Sequence, residues 1–301
     1  MKEITQKDYL QFLRDHRSVS IDGHEVELVR KWEIKKYAPN EGYQPEGTTV
    51  WSFPDRGNWA THVGNYRGNF SPFIPRNLIL KYTKPGELIL DQMMGSGTTL
   101  VESKLLGRDA IGVDINPDAV MLARDRLNFT YRPLEPEYRE PTIRTYVGDA
   151  RRLDAIPDSS VDLIVTHPPY AWIISYSGHR VEGDLSSLGL KAFLSAMRVV
   201  ADESLRVLRE GRYCAILIGD TRQHRHFVPI AIRVMQQFLE AGFVLKEDII
   251  KIQHNVSSNL GRWRAREYDF YKIMHEHVFV FRKPAEHEGP PKNSLMWWAP
   301  A

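Results

Sequence analysis

Two short strings in this 301-residue chain hold the side chains and backbone shapes that suit them to chemistry. The first, ELILDQMMGSGTTLVESKLLGRDAIGVDINP at 87–117, places Gly95 and Gly97 in a tight turn between an apolar run ending at Asp91 and a segment opening at Thr98. Glycine tolerates the backbone angles of such a turn, and a helix that starts there points its free amides at an anionic or polar ligand. A second apolar run closes on Asp114 and Ile115, 23 residues beyond Asp91, the spacing at which a carboxylate can reach a ribose diol. The turn reads GSGTT rather than GxGxxG and carries no Walker lysine, so it matches neither a nicotinamide nor an ATP fingerprint. Asp149 and Ala150, in TYVGDA, follow a third apolar run and are candidates for the far end of the same ligand. Each of these acids also reads as an ordinary cap or strand-end residue.

The second string is THPPY at 166–170, which follows the apolar run Val161–Val165 where it would leave a sheet. Pro168 and Pro169 fix their own backbone angles and remove two N–H donors, leaving carbonyl groups aimed outward beside the flat ring of Tyr170. Such a corner suits a planar group bearing an exocyclic amine. A strand-ending proline turn without chemistry accounts for Pro-Pro-Tyr equally well at this point. His167 adds a neutral imidazole, able to accept a hydrogen bond or a proton, or simply to pack.

The elements that must position these strings are legible as alternating runs. Apolar, β-branched segments near 87–91, 110–115, 144–148, 161–166, 213–219, 243–251 and 277–282 alternate with helical patterns, which predicts an α/β, doubly wound sheet of seven strands with helices on both faces. The last two are joined by too little regular sequence for a crossover helix and are expected to pair antiparallel. Residues 1–75 begin with an amphipathic helix near Thr5–His16 and continue as an irregular, aromatic extension. Residues 76–283 form the expected catalytic domain, and 284–301 a proline-rich tail with Trp297 and Trp298.

Together the strings resemble the amino-group DNA methyltransferases that use S-adenosylmethionine. DQMMGSGTT is similar to their cofactor motif, THPPY to their catalytic motif, and YRGNFSPFIPRNLILKYTKPGE to their remaining cofactor motif. Cofactor motif before catalytic motif, with Thr166 ahead of the tetrapeptide, resembles the site-specific cytosine-N4 enzymes. His167 stands where that pattern carries Ser, Asn or Asp, so adenine N6 stays open as the target, as does the guanine-N2 chemistry of tRNA enzymes that share the Pro-Pro-Tyr logic. The resemblance implies a class I, Rossmann-like methyltransferase sheet with one reversed strand near its edge. S-adenosylmethionine is the implied cofactor: Phe70, Ser71, Asp91 and the turn Gly95, Ser96, Gly97, Thr98 at its methionine end, Asp114 and Ile115 at its ribose, Asp149 and Ala150 at its adenine. His167, Pro168, Pro169 and Tyr170 are the implied catalytic group, with Tyr170 stacked on a base taken out of the duplex. No metal is called for.

Double-stranded DNA is therefore the expected partner, and a cognate restriction endonuclease is a candidate one. A net charge of +2 supplies no strong global field, so DNA contacts must be local. Segments 171–190, with Tyr176 and Arg180, and 254–275, with Arg262, Trp263, Arg264 and Arg266, mix aromatic and basic residues, and Arg222 stands in TRQHRH. Solvated surface charge explains these patches as readily. With no large recognition domain visible, readout is expected to be short or shared with the second subunit of a homodimer. Cys214, alone in an apolar run, reads as a buried hydrophobe. No run approaches a membrane span and the N-terminus is unlike a signal peptide, so a cytoplasmic location with no membrane partner is expected.

Overall fold

A computed structural model describes residues 1–40, 42–66, 68–134, 138–170, 181–254 and 269–285. In chain order the strands are β1 (Lys2–Ile4), β2 (Ser18–Ile21), β3 (His24–Glu27), β4 (Val50–Ser52), β5 (Leu88–Asp91), β6 (Asp109–Asp114), β7 (Ile143–Val147), β8 (Val161–Thr166), β9 (Leu208–Ile218), β10 (Thr221–Gln223), β11 (His226–Val228), β12 (Val244–Ile252) and β13 (His275–Arg282). The α-helices are α1 (Gln6–Asp15), α2 (Phe73–Tyr82), α3 (Thr98–Leu105), α4 (Pro117–Leu127), α5 (Leu190–Val207) and α6 (Ile230–Glu240).

All seven expected strands form and lie in one sheet ordered β1-β7-β6-β5-β8-β9-β13-β12-β4. The chain builds outward from β5 through β6 to β7, then returns to β8 and β9 on the other side. β5 and β8 therefore sit side by side and parallel at the point where the winding reverses. The crevice above the carboxyl ends of such a pair is where doubly wound sheets bind ligands. β13 is the reversed strand, antiparallel to both β9 and β12 between which it lies. Two further strands from the N-terminal segment lengthen the sheet to nine: β1 pairs antiparallel with β7, and β4 parallel with β12. They cover edges that would otherwise present unpaired backbone groups.

Both faces of the sheet are covered, which explains why its central strands are continuous apolar runs. Ile89, Leu163, Val165, Leu217 and Val278 pack with Ile74 and Leu78 of α2, Leu100 and Val101 of α3 and Val120 of α4. Their neighbours Leu90, Ile164, Ile216, Ile218 and Phe279 point the opposite way, onto Phe193, Met197 and Val200 of α5 and Val234 and Phe238 of α6. Cys214 belongs to the second set, fully buried, with burial pushing its thiol well above the ordinary range, as expected of a small hydrophobe rather than a nucleophile.

The N-terminal segment is bonded into this core. Glu102 of α3, fully buried, accepts from Trp59 Nε1 at 2.6 Å and Arg76 Nη1 at 2.9 Å and meets His62 Nε2 at 2.7 Å. Burial opposes its charge, but His62 and Arg76 outweigh it and hold its carboxyl below the usual range. The same cluster fixes the loop from Trp59 to Phe70 against α3, and that loop forms one wall of the site.

Candidate active site

Each expected string ends at the same rim of the sheet. After β5 the chain enters the glycine turn, where Gly95 and Gly97 have φ of +50° and +81°. A side chain at Gly97 would bring its Cβ within 3.0 Å of Ala123 Cβ, so the turn needs glycine for packing as well as for conformation. Gly97 then caps α3, which begins at Thr98. Asp114, at the end of β6, receives the Gly95 amide on Oδ2 at 2.8 Å and the Asn116 amide on Oδ1 at 2.9 Å. Each oxygen keeps a lone pair for a further donor. Burial raises the Asp114 carboxyl to about 6, against the two amides that favour its charge.

β8 delivers His167 and Pro169 to the other side of the same opening. A cleft is lined by Phe70, Gly95, Asp114, Ile115, Asp149, Ala150, His167 and Pro169, all singled out from the sequence. The glycine turn and the His-Pro-Pro corner thus open into one cleft. Burial pulls the His167 imidazole below its ordinary value, only partly offset by the nearby Glu276 carboxylate, so the ring is neutral at pH 7. Phe70 packs edge-on against it, ring centres 5.7 Å apart.

Other expected contacts lie just behind the wall. Asp91 is 1% exposed; its Oδ2 accepts from Thr99 Oγ1 at 2.6 Å and its Oδ1 from the Met93 amide at 3.2 Å. It shapes the turn, and its neighbours Gln92, Met93 and Met94 face the cleft instead. Ser96 and Thr98 both donate to Asn69 Oδ1, at 2.8 and 2.9 Å, so they position Asn69, which does line it. Ser71 turns away to donate to the Arg56 carbonyl. Asp149 reaches the lining, but both its oxygens are engaged by the Arg151 guanidinium, Nη2 at 2.6 Å. Pro168 is buried behind the lining, and the Tyr170 hydroxyl is committed to Glu276 at 2.6 Å.

Sequence reasoning missed Tyr66, Gly68, Asn69, Asn116, Gly183, Asp184 and Leu185. Asn69 stood within the quoted cofactor stretch and could have been found there; Asp184, 4% exposed, had no local signal at all. Arg222, expected on DNA, is held at the base of the β10–β11 hairpin. Its Nη2 donates to the Tyr271 carbonyl at 2.8 Å, and the guanidinium lies 4.5 Å over the Phe270 ring. Tyr176, Arg180, Arg262, Trp263, Arg264 and Arg266 lie outside the described residues.

The lining suits S-adenosylmethionine. Phe70, Met93, Ile115 and Leu185 supply apolar walls for an adenosyl group, and Asp114 is a fixed carboxylate with acceptor capacity left for a diol. With the strand order β7-β6-β5-β8-β9-β13-β12, this is the fold of class I methyltransferases, whose cofactor is S-adenosylmethionine. A DNA methylase family model matches residues 5–125 and 161–297, and the chain belongs to that family. An RMKL-like methyltransferase domain model also matches residues 78–209. The tRNA (guanine(10)-N2)-dimethyltransferase of Methanothermobacter thermautotrophicus is 34% identical over 118 residues, 39% of this chain and 32% of that protein. Type II methyltransferase M.SmaI of Serratia marcescens is 32% identical over 116 residues, 38% of each. M.Cfr9I of Citrobacter freundii is 32% identical over 96 residues, 32% of this chain and 31% of that protein. The matched stretches thus span about a third of the length of these curated relatives. Among solved structures, a SAM-dependent methyltransferase from Methanosarcina mazei aligns with 69% of this chain and 98% of its own, at 16% identity and a TM-score of 0.48.

Proposed function

We propose that this protein transfers a methyl group from S-adenosylmethionine to the exocyclic N4 of a cytosine flipped out of double-stranded DNA at a specific site. The observation that carries this is the shared cleft: Gly95 and Asp114 on one wall, His167 and Pro169 on the other. S-adenosylmethionine supplies an electrophilic methyl group on a sulfonium. Asp114 holds the ribose, Phe70 and Ile115 flank the adenosyl group, Asp149 and Ala150 close the adenine end, and the turn from Gly95 faces the methionine.

An exocyclic amine is a poor nucleophile because its lone pair is delocalised into the ring. The Pro168 carbonyl and the neutral His167 imidazole hold its hydrogens, so that the nitrogen pyramidalises and recovers that pair. Displacement is then direct, and the acceleration comes from alignment and fixed dipoles. Cys214 is buried away from this rim, consistent with a route that needs no covalent enzyme adduct. Residues 76–283 form the catalytic unit in this reading, with 171–190 and 254–275 as its DNA-contacting segments. A homodimer and a cognate restriction endonuclease are its proposed partners, and the cytoplasm its location. Among the described residues no helix is long and apolar enough to cross a membrane.

Thr166 before the tetrapeptide favours N4; adenine N6 is the near neighbour. The match to a tRNA guanine-N2 enzyme supports a second reading, with RNA as acceptor. Labelled S-adenosylmethionine incubated with the protein and either unmethylated duplex DNA or tRNA, followed by nucleoside analysis, decides among them. N4-methylcytosine in DNA is the expected product; label confined to tRNA overturns the DNA assignment.

A further inference from the structure

One buried acid outside the cleft lining is bonded directly into the catalytic corner. Glu276 of β13 is 8% exposed. Its Oε1 accepts from the Tyr170 hydroxyl at 2.6 Å and its Oε2 from the Lys251 ammonium at 2.8 Å. Lys251 of β12 and Glu276 are direct cross-strand partners, so the pleat places both side chains on one face. Tyr170 Oη lies 3.1 Å from His167 Nε2. Gly219, just past β9, leaves room for this chain of contacts, since a Cβ there would stand 3.3 Å from Tyr170 Oη.

Counting protons along the chain shows what the Tyr170 hydroxyl presents to the imidazole. Burial alone would raise the Glu276 carboxyl, but the Lys251 ammonium, His167 and the two donated hydrogen bonds hold it below the usual range, so it is ionised. An ionised carboxylate only accepts, which commits the single Tyr170 proton to Glu276. The phenol oxygen then faces His167 purely as an acceptor. The Gly68 carbonyl is a second acceptor at the imidazole, so the ring meets two acceptors, which favour its protonated form.

We propose that Glu276 is a positioning residue for His167: through the Tyr170 hydroxyl it turns an acceptor toward the ring and provides the negative charge that an imidazolium there requires, while Lys251 tempers that charge. This rests on the reading of His167 as the acceptor at the target amine. The methylated amine must shed one proton; it passes to the lone pair of the neutral imidazole, the amine nitrogen regains a neutral lone pair, and the positive charge ends on the imidazole opposite Glu276. The logic is that of a base oriented by a carboxylate, with a phenol interposed.

The other groups around the ring are few. The Gly68 carbonyl favours the protonated form, Lys251 and burial oppose it, and Phe70 packs without charge. On β13 itself, His275 and His277 alternate to the opposite face from Glu276, and His277 Nδ1 is engaged with Asp248 at 2.9 Å.

The test is an NMR titration of the His167 ring in the full-length protein without cofactor or nucleic acid, its signal assigned by its loss in His167→Gln. Glu276→Gln removes the negative charge and is expected to lower the midpoint by roughly one pH unit. Lys251→Met removes the opposing charge and is expected to raise it, and this variant also carries the test if Glu276→Gln fails to fold. Midpoints that do not move, or that move in the same direction, overturn the proposal. In turnover, Glu276→Gln should lower kcat by roughly tenfold or more while leaving the calorimetric affinity for S-adenosylmethionine unchanged. If the midpoints split as expected but no nucleic acid is methylated by the wild type, the coupling stands and the functional reading fails.

Discussion

The Gly95 amide and the Asp114 carboxylate are joined by a 2.8 Å hydrogen bond, which ties the turn after β5 to the end of β6 within one wall of the cofactor cleft. The acid offered to the ribose is thus held by the turn offered to the methionine, and neither can shift alone.

Asp114→Ala is accordingly expected to weaken S-adenosylmethionine binding by roughly 10- to 100-fold, about 1.4 to 2.8 kcal/mol, as measured by calorimetry. Burial raises this carboxyl to about 6, and only its ionised form accepts from both hydroxyls of a diol. Wild-type affinity should therefore fall as pH drops through about 6, whereas that of the alanine variant should stay level. Equal affinities for the two proteins at pH 7.5 would refute the ribose assignment.

His167→Ala should lower kcat by roughly 10²-fold or more, the usual contribution of a positioned proton acceptor. Because burial holds the imidazole below its ordinary value, the neutral acceptor form persists well below pH 7, and the wild-type rate should decline only once pH falls past about 6.5. Unchanged turnover in single-turnover assays would assign His167 to packing.

Asp91 carries the opposite sign to most acids. Burial pushes it up to about 7, against roughly 3.9 in the unfolded chain, so the fold favours its protonated form. Its contribution to stability is complete below about pH 4 and is lost as pH rises through 7. Asp91→Asn, permanently neutral, should gain on the wild type in urea midpoint between pH 5 and pH 8. A difference that is constant across that range would show the carboxyl to be ionised throughout.

Glu102→Ala removes the acceptor shared by Trp59, His62 and Arg76 and strands a guanidinium in the interior. Loss of one partner from such a buried network costs roughly 3 to 5 kcal/mol. Chemical denaturation should register it, and a loss under 1 kcal/mol would mean that the loop from Trp59 to Phe70 repacks freely.

The sheet, the glycine turn and the proline corner were legible in sequence because each is a local event. Buried strands read as apolar runs, Gly95 and Gly97 as a turn, and Asp114 as the residue where β6 ends. The three-residue strands β1 and β4 were not, since so short a segment shows no period and forms only by pairing with β7 and β12. The bonds of Ser96 and Thr98 to Asn69 likewise depend on a loop folded back from 27 and 29 residues away.

The amino-acid sequence by itself determined which residues stand at the ligand edge and what chemistry they are suited to, because strand order along the chain and the residues that end each strand follow from local pattern. Only the tertiary structure decided that the two motifs share a cleft, and that Glu276, 106 residues from Tyr170, is bonded to the His-Pro-Pro-Tyr corner. The physical reason is that β13 is placed beside β9 by hydrogen bonds between strands, and no local periodicity records which strand a given segment will pair with.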